Sequence, residues 1–261
     1  MTPESILQHH DEARLWPQGC RLDLAAAYQS ALAVRTLRMA RGERPVGYKV
    51  GFTNRTIWDR YKVFAPIWGA VWNNTLSFCE GEGRVNLAGT CQPRIEPEAV
   101  FGMAHTPPPG ASLQQLFESL DWVAPGFEIV QSHMPDWKFA AADTVADGGL
   151  HARLLVGPRR PVRELAADAD AFEQRLATAR VRLRHGEEVR DQGQGANVLD
   201  GPLHALLHVL QDLRACPGAP DLNAGDAITT GTWTDAWPVL AGQSWTADFD
   251  APLARLTVNF D

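Results

Sequence analysis

The segment Arg94-Ile95-Glu96-Pro97-Glu98, followed by the apolar run AVFGM, carries the chain's sharpest chemical signal. In an extended strand residues two apart share a face, so Glu96 and Glu98 project two carboxylates side by side. Acids that close repel each other unless they share a proton or bind a divalent cation. Pro97 lacks a backbone donor, which places the segment at a sheet edge or a bulge. The alternative is a solvated turn in which the two charges hardly interact. Glu128 offers a third carboxylate, inside the apolar stretch Pro125-Gly126-Phe127-Glu128-Ile129-Val130. An acid with such neighbours is seldom buried without a partner, although an outward-facing place on a half-exposed strand fits the local pattern equally well. Three carboxylates with open water positions suit Mg2+ or Mn2+ better than zinc, because hard cations prefer oxygen ligands.

Lys49 is the next feature, set between glycines in Gly47-Tyr48-Lys49-Val50-Gly51. Directed into a cavity, its ammonium can move a proton or steady a developing enolate, and glycines let a ligand approach the backbone. On the polar face of its strand it would be an ordinary surface lysine. Other patterns carry less. His204 and His208 are four apart on one helix but lack the intervening Glu of a zincin, so partly buried helix positions are expected. Gly193-Gln194-Gly195 lacks the rest of a dinucleotide fingerprint, and there is neither a P-loop nor a G-x-S-x-G elbow.

These residues must be held by a β-rich body. From Pro45 onward, short apolar stretches alternate with Gly, Pro, Asn and Asp: VGYKVGF, APIWGAVW, PEAVFGM, GFEIV, ARLLVGP, RVRLRHGEEV, DAITTGTW, SWTADFD and LARLTVNF. His185-Gly186 reads as a hairpin turn. Helices are expected over 112–120, 169–179 and 202–213, the last with Pro202 at its first position. The first 42 residues look helical, with Asp23 capping a helix that ends before Gly42. Strands and helices do not alternate regularly enough for a doubly wound sheet or a TIM barrel. The expectation is therefore α+β: a helical portion over 1–44 and a curved mixed β body over 45–261, integrated into one domain.

Composition narrows the classes. The chain has 261 residues, of which 45% are hydrophobic and 21% charged, as in an ordinary globular protein. No run approaches the length of a membrane span, and the polar N-terminus MTPESILQHHDEAR lacks a signal-peptide core. The net charge of −7 argues against a nucleic-acid binder. Cys20, Cys79, Cys91 and Cys216 form no CxxC pair and read as buried thiols of a reducing, cytoplasmic compartment.

Taken in order, GYKVGFT, PIWG, RIEPEAVF, GFEIVQSHMPDWKFAAADTVADGGLHARLLVG, LRHGEEVRDQGQGANVLDGPLHAL and LNAGDAITTGTWTDAWPVLAGQSW resemble the 2-keto-4-pentenoate hydratase and 4-oxalocrotonate decarboxylase family of the fumarylacetoacetate hydrolase superfamily. The likeness runs colinearly over roughly residues 22 to 261, far more specific than any one motif. It implies a mixed β-roll or barrel with a helical N-terminal portion, and Mg2+ or Mn2+ held by Glu96, Glu98 and Glu128. It also implies Lys49 as the catalytic and substrate-binding lysine, and Thr234 as a second substrate contact. Asp143 and Asp147 match a D-T-x-x-D stretch and are expected to support the site without catalysing. The implied activity is that of a lyase on 2-keto-4-enoate or 2-hydroxydienoate acids from aromatic degradation, adding water through a metal-bound enolate. The resemblance also implies a homo-oligomer that can associate with a family homologue.

Two departures bear on the reaction. Hydratases of the family carry P-D-F-G or P-D-Y-G where this chain has Pro66-Ile67-Trp68-Gly69, and the missing acid points towards decarboxylation. The E-P-E and GFEIV segments look more like hydratases. The frequent A-D-N is Ala146-Asp147-Gly148 here, which alters a contact supporting the site. The reading is a hydratase, with a decarboxylase second and a non-catalytic metal-binding partner subunit as the alternative of another class. C–C bond hydrolysis would need a water activator, for which His133 and His151 are the nearest residues. Trp68, Trp72 and Trp233 are the expected aromatic lining.

Overall fold

The computed structural model describes residues 1–55, 58–62 and 64–261. It begins with α1 (Pro3–Asp11) and α2 (Leu24–Ala40). Thr2 caps α1, and the Asp23 carboxylate accepts from Ala26 N at 2.8 Å to cap α2. Gly42, at φ +95°, turns the chain out of α2. The intervening residues 12–23 are not helical, so the N-terminal portion is two helices and a linker rather than one helical lead.

In chain order there follow β1 (Pro45–Gly51), α3 (Trp58–Tyr61), β2 (Ile67–Trp72), β3 (Leu76–Phe78), β4 (Glu82–Val85), β5 (Arg94–Met103), α4 (Leu113–Glu118), β6 (Leu120–Val130) and α5 (Ala141–Ala146). The remainder comprises β7 (His151–Val156), β8 (Arg160–Pro161), α6 (Ala169–Thr178), β9 (Arg180–His185), β10 (Glu188–Gln194), α7 (Pro202–Ala215), β11 (Ala227–Thr229), β12 (Trp237–Pro238), β13 (Ser244–Phe249) and β14 (Leu256–Phe260). The expected hairpin joins β9 to β10, but its turn is Gly186-Glu187, and His185 is the last strand residue.

The larger sheet runs β2-β1-β11-β5-β6-β7-β3, with β12 also paired to β5 and β8 to β6; the smaller runs β10-β9-β13-β14-β4. The pairing is mixed: β1 is parallel to β11 and antiparallel to β2. The described strands form two open mixed sheets, so the expected β-roll or barrel-like body forms without closing. Each sheet ends on strands that do not pair with one another.

The main core, including Phe101, Phe117, Phe127, Phe172, Leu206 and Trp233, lies between the sheets and α4, α6 and α7. A second core joins Ile6, Trp16, Ala27 and Val34 of the N-terminal portion to Phe52, Ile67, Val130 and Leu150 of the β body. Helices α1 and α2 are thus built into the wall of the sheet that bears the acids. Cys20 and Cys91 are buried, whereas Cys79 and Cys216 are only half-buried; all four are free thiols. Among the described residues, no helix is long and apolar enough to cross a membrane.

Candidate metal centre and catalytic cavity

The long antiparallel pair β5–β6 assembles the acids. Its register sets Glu96 directly opposite Glu128 and Glu98 opposite Gly126. Directly paired side chains share a face, so the strand alternation that joins Glu96 to Glu98 brings Glu128 to the same spot. One oxygen of each carboxylate lies within 4.8 Å of one from each of the others. Glu98 and Glu128 are fully buried and Glu96 is partly open, which excludes both the solvated turn and the outward-facing strand position.

Pro97 is not on an edge strand. It lies in the centre of the sheet, where β11 pairs β5 at Val100–Gly102 and β12 pairs it at Arg94 and Ile95, leaving a gap between them. A loop fills that gap, and Trp233 N donates to Pro97 O at 3.1 Å. The carbonyl and nitrogen of one strand residue face the same side, so the donor Pro97 lacks is missing where no strand needs it.

The same loop holds Glu98. Thr230 N and Gly231 N donate to Glu98 Oε2 at 3.0 and 2.6 Å. Gly231 has φ +95°, and a Cβ there would fall 1.7 Å from Thr53 Oγ1, so no other residue fits this turn unchanged. Glu128 Oε1 meets His151 Nδ1 at 3.0 Å, and His151 Nε2 meets Thr75 Oγ1 at 2.8 Å. Glu128 Oε2 faces Lys49 Nζ at 3.4 Å.

Lys49 is 2% exposed, which rules out the surface reading. Its flanking glycines serve different neighbours. A Cβ on Gly47 would strike the Ala227 backbone of β11, while one on Gly51 would lie 3.3 Å from Lys49 Nζ. Gly47 therefore admits a strand and Gly51 leaves room beside the ammonium. Ile67, at the position where hydratases carry an acid, pairs with Gly51 across β1–β2, and its Cγ1 would be 3.4 Å from a Cβ there. The departure from the hydratase pattern thus falls beside Lys49.

The charges are unbalanced. Burial and the Glu128 charge lift Glu96 to about 7, with Lys49 pulling the other way. Burial, Glu128 and Glu96 together raise Glu98 well above the usual carboxylate range. Burial penalises the Lys49 ammonium, but the attraction of Glu128, Glu96 and Glu98 outweighs it and raises its pKa. Glu98 Oε1 is buried with no partner, and Glu128 Oε2, also without a hydrogen bond, has only the Lys49 ammonium at 3.4 Å. Buried acceptors of this kind are costly unless something electropositive completes them. Three hard oxygen donors that converge with such orphaned atoms fit a divalent cation.

A cleft opens onto Lys49 and Glu96. Its other walls are Phe52, Val130, Trp137, Phe139, Leu150 and Ala236, with Thr53, Asn54 and Thr232 as polar members. Phe139 meets Phe52 edge-on at 6.0 Å and Trp137 at 6.1 Å, forming an aromatic corner. Among the described residues Lys49 is the cleft's cation.

Several expected positions are elsewhere. Thr234 is buried beside the cleft, but its hydroxyl donates to Asp235 O at 2.9 Å, and Thr232 is the threonine on the wall. Trp68 and Trp72 line a different cleft, and Trp233 is wholly buried against Phe249. Neither His133 nor His151 lines the cleft that holds Lys49. His204 is tied to Glu173 at 2.6 Å, while His208 is exposed rather than partly buried. Sequence reasoning missed Phe52, Trp137 and Phe139; the available signal was their presence in GYKVGFT and in SHMPDWKF, two of the motifs that carry the resemblance.

Asp143 and Asp147 face away from the cleft. Asp143 accepts from Cys20 N at 2.6 Å and Ala140 N at 2.9 Å. Asp147 meets His10 Nε2 at 2.8 Å and His133 Nδ1 at 2.6 Å, and accepts from His133 N at 2.9 Å. Both acids fasten the N-terminal portion to the segment behind Lys49.

No family model matches the chain. It is 30% identical over 218 residues to 2-hydroxyhexa-2,4-dienoate hydratase of Comamonas testosteroni, covering 83% of this chain and 78% of that protein. It is also 30% identical to 4-oxalocrotonate decarboxylase of Pseudomonas putida, over 93% of this chain and 88% of the relative. The 4-oxalocrotonate decarboxylase structure from Pseudomonas putida G7, complexed with magnesium and adipate, superposes with a TM-score of 0.86 at 25% identity, covering 99% of this chain and 95% of that one. Fumarylpyruvate hydrolase from Pseudomonas aeruginosa, in complex with Mn2+ and pyruvate, shares the fold with a TM-score of 0.60 at 15% identity, over 83% and 89% of the two chains. The chain belongs to the 2-keto-4-pentenoate hydratase and 4-oxalocrotonate decarboxylase family of the fumarylacetoacetate hydrolase superfamily.

Proposed function

We propose that the protein is a divalent-metal-dependent hydratase acting on a 2-hydroxydienoate, or its 2-keto-4-enoate tautomer, that bears one carboxylate and an apolar tail. The observation that carries this reading is the lining of the cleft: Lys49 and Glu96 are its charged members, and Phe52, Val130, Trp137, Phe139, Leu150 and Ala236 make an aromatic and aliphatic wall. An apolar tail desolvates favourably against Phe52, Phe139 and Leu150, whereas a second carboxylate there would lose its hydration.

Glu96, Glu98 and Glu128 would hold Mg2+ or Mn2+. Bound there, the ion supplies positive charge for the substrate carboxylate and for negative charge developing on the C2 oxygen. Lys49, kept protonated by its acidic neighbours, is placed to donate a hydrogen bond to that oxygen and to release a proton during ketonisation. His151 fixes the direction of the Glu128 carboxylate. Thr232 offers a hydroxyl on the wall for the incoming water. The aromatic corner keeps bulk water from the remote double bond. The same reading makes the protein a cytoplasmic homo-oligomer that can associate with a family homologue.

Decarboxylation is the second reading, and Ile67 favours it. An apolar side chain stands beside Lys49 where hydratases place an acid, removing a group that could accept a proton from water. The deciding experiment follows products by NMR with Mg2+, using mono- and dicarboxylic 2-hydroxydienoates and EDTA controls. A 4-hydroxy-2-keto acid formed from the monoacid only with metal is the expected result. CO2 release from the diacid without hydration would assign the decarboxylase, and bound metal without turnover would assign a partner subunit.

A further inference from the structure

Tyr48 and Lys49 are neighbours on β1 and therefore face opposite ways. Lys49 faces the catalytic cleft, whereas Tyr48 faces a second cleft between α2 and β2. Its aromatic walls are fixed: Trp68 stacks on Tyr28 at 4.6 Å and meets Tyr48 edge-on at 5.9 Å. Two guanidiniums one helical turn apart, Arg35 and Arg38, reach it from α2.

The two arginines differ. Arg38 pairs with Glu43 at 2.5 Å and lies over the Trp72 ring at 4.1 Å, so its fork is engaged. Arg35 is half-buried and has no hydrogen bond or ion pair among the described residues; its Nε is shut off from solvent without a partner. Asp226 acts on Arg35 only from beyond ion-pair distance. The imidazoles of the cleft are already committed, His10 to Asp147 and His151 to Glu128 and Thr75. A guanidinium N–H denied both water and an acceptor is costly, and a planar two-oxygen anion is the group whose geometry matches it.

We propose that this cleft is a second small-molecule site, separate from the catalytic one, that binds a carboxylate through Arg35 and its apolar body against Trp68 and Tyr48. Inorganic phosphate would meet the charge but leave the aromatic walls unused.

The test is a fluorine NMR titration with 4-fluorophenylacetate. It is run on the Mg2+-loaded protein with saturating oxalate in the catalytic cleft, and repeated in EDTA, which removes the metal that would hold a carboxylate there. Saturable binding is expected in both conditions. Arg35→Gln should raise Kd about tenfold or more, in line with losing a charge-assisted pair, and Arg35→Lys should raise it less. Ala31→Trp, which fills the cleft from α2, should abolish binding while circular dichroism stays unchanged. Absence of saturable binding at millimolar probe, an unchanged Kd in Arg35→Gln, or displacement of the probe by oxalate would overturn the proposal.

Discussion

Two buried clusters of acids and bases lie on opposite sides of the Lys49 wall, and each has the residue types and spacing to take a metal ion. One is Glu96, Glu98 and Glu128; the other is His10, His133 and Asp147. They differ in how far the protein itself completes them. Around Asp147, each carboxylate oxygen meets a donor, and the two imidazoles stack at 4.3 Å. Burial disfavours the Asp147 charge, but His133 and the hydrogen bonds of both histidines prevail and hold it at about 2. Burial likewise opposes the His133 charge, yet Asp147 lifts it to about 10. Around Glu98 and Glu128, Glu98 Oε1 has no partner, Glu128 Oε2 has only the Lys49 ammonium, and that one positive charge answers three acids. The Asp147 cluster, in which both acid oxygens are met and the one buried atom without a hydrogen-bond partner is a nitrogen, His133 Nε2, is a clamp between α1 and the segment behind Lys49. The unsatisfied one keeps its electrostatic demand for a ligand.

The largest effect should come from breaking the unsatisfied cluster. Glu128→Gln should weaken Mn2+ affinity on the order of 100-fold or more, above the loss typical for an outer supporting partner, and reduce turnover to background. Titration calorimetry reads the first, and unchanged affinity would remove Glu128 from the metal site. Lys49→Met should lower turnover by about 10²–10⁴-fold and leave Mn2+ affinity unchanged or tighter, since a competing positive charge is gone. Parallel loss of metal would make Lys49 a structural prop instead.

The clamp should respond in the opposite manner. Asp147→Asn leaves the paired imidazoles without their counter-charge and should cost about 3 kcal/mol of stability, lowering Tm by roughly 6–12 °C. Its Mn2+ affinity should stay within about twofold, far from the loss that even an outer partner of a metal ligand incurs. A collapse of metal affinity with normal stability would exchange the roles assigned to the two clusters.

The pH dependence sharpens the contrast with the smallest effect. In the metal-free protein Glu96, at about 7, and Glu98 bind protons more tightly than their ordinary value of 4.5. The folded state therefore takes up protons first, and stability should rise as pH falls from about 8 to about 5. That gain is complete below the unfolded value and lost as pH rises through the folded one. Mg2+ should cancel it, because the ion replaces those protons. Asp147 keeps its charge across this window, but His133, at about 10 in the folded state against 6.5 unfolded, adds a slope of the same sign above about pH 6.5; Mg2+ should leave that part in place and Asp147→Asn should remove it. Denaturant melts with and without EDTA give both slopes.

Local periodicity made part of this legible in the sequence. Strand alternation joined Glu96 to Glu98, the glycine-flanked Lys49 stood out, and Asp23, Gly42 and Pro202 marked helix boundaries that the structure keeps. The fold followed from the colinear motifs. What depended on register stayed hidden. Lys49 stands opposite Gly69, so Trp68 and Trp72 point to the other face of the sheet, which no local pattern reveals. Pro97 reads as an edge residue because a gap between two partner strands looks the same locally as an edge. The aromatic corner escaped for another reason. Asp136 and Trp137 have φ of +55° and +58°, and such an irregular segment has no period to read.

The most direct test is anomalous diffraction from crystals grown with Mn2+. The account predicts a peak among Glu96, Glu98 and Glu128, at ordinary carboxylate–metal distances, and none between His10, His133 and Asp147. A peak at the histidine cluster, or no peak at the three glutamates, would contradict it.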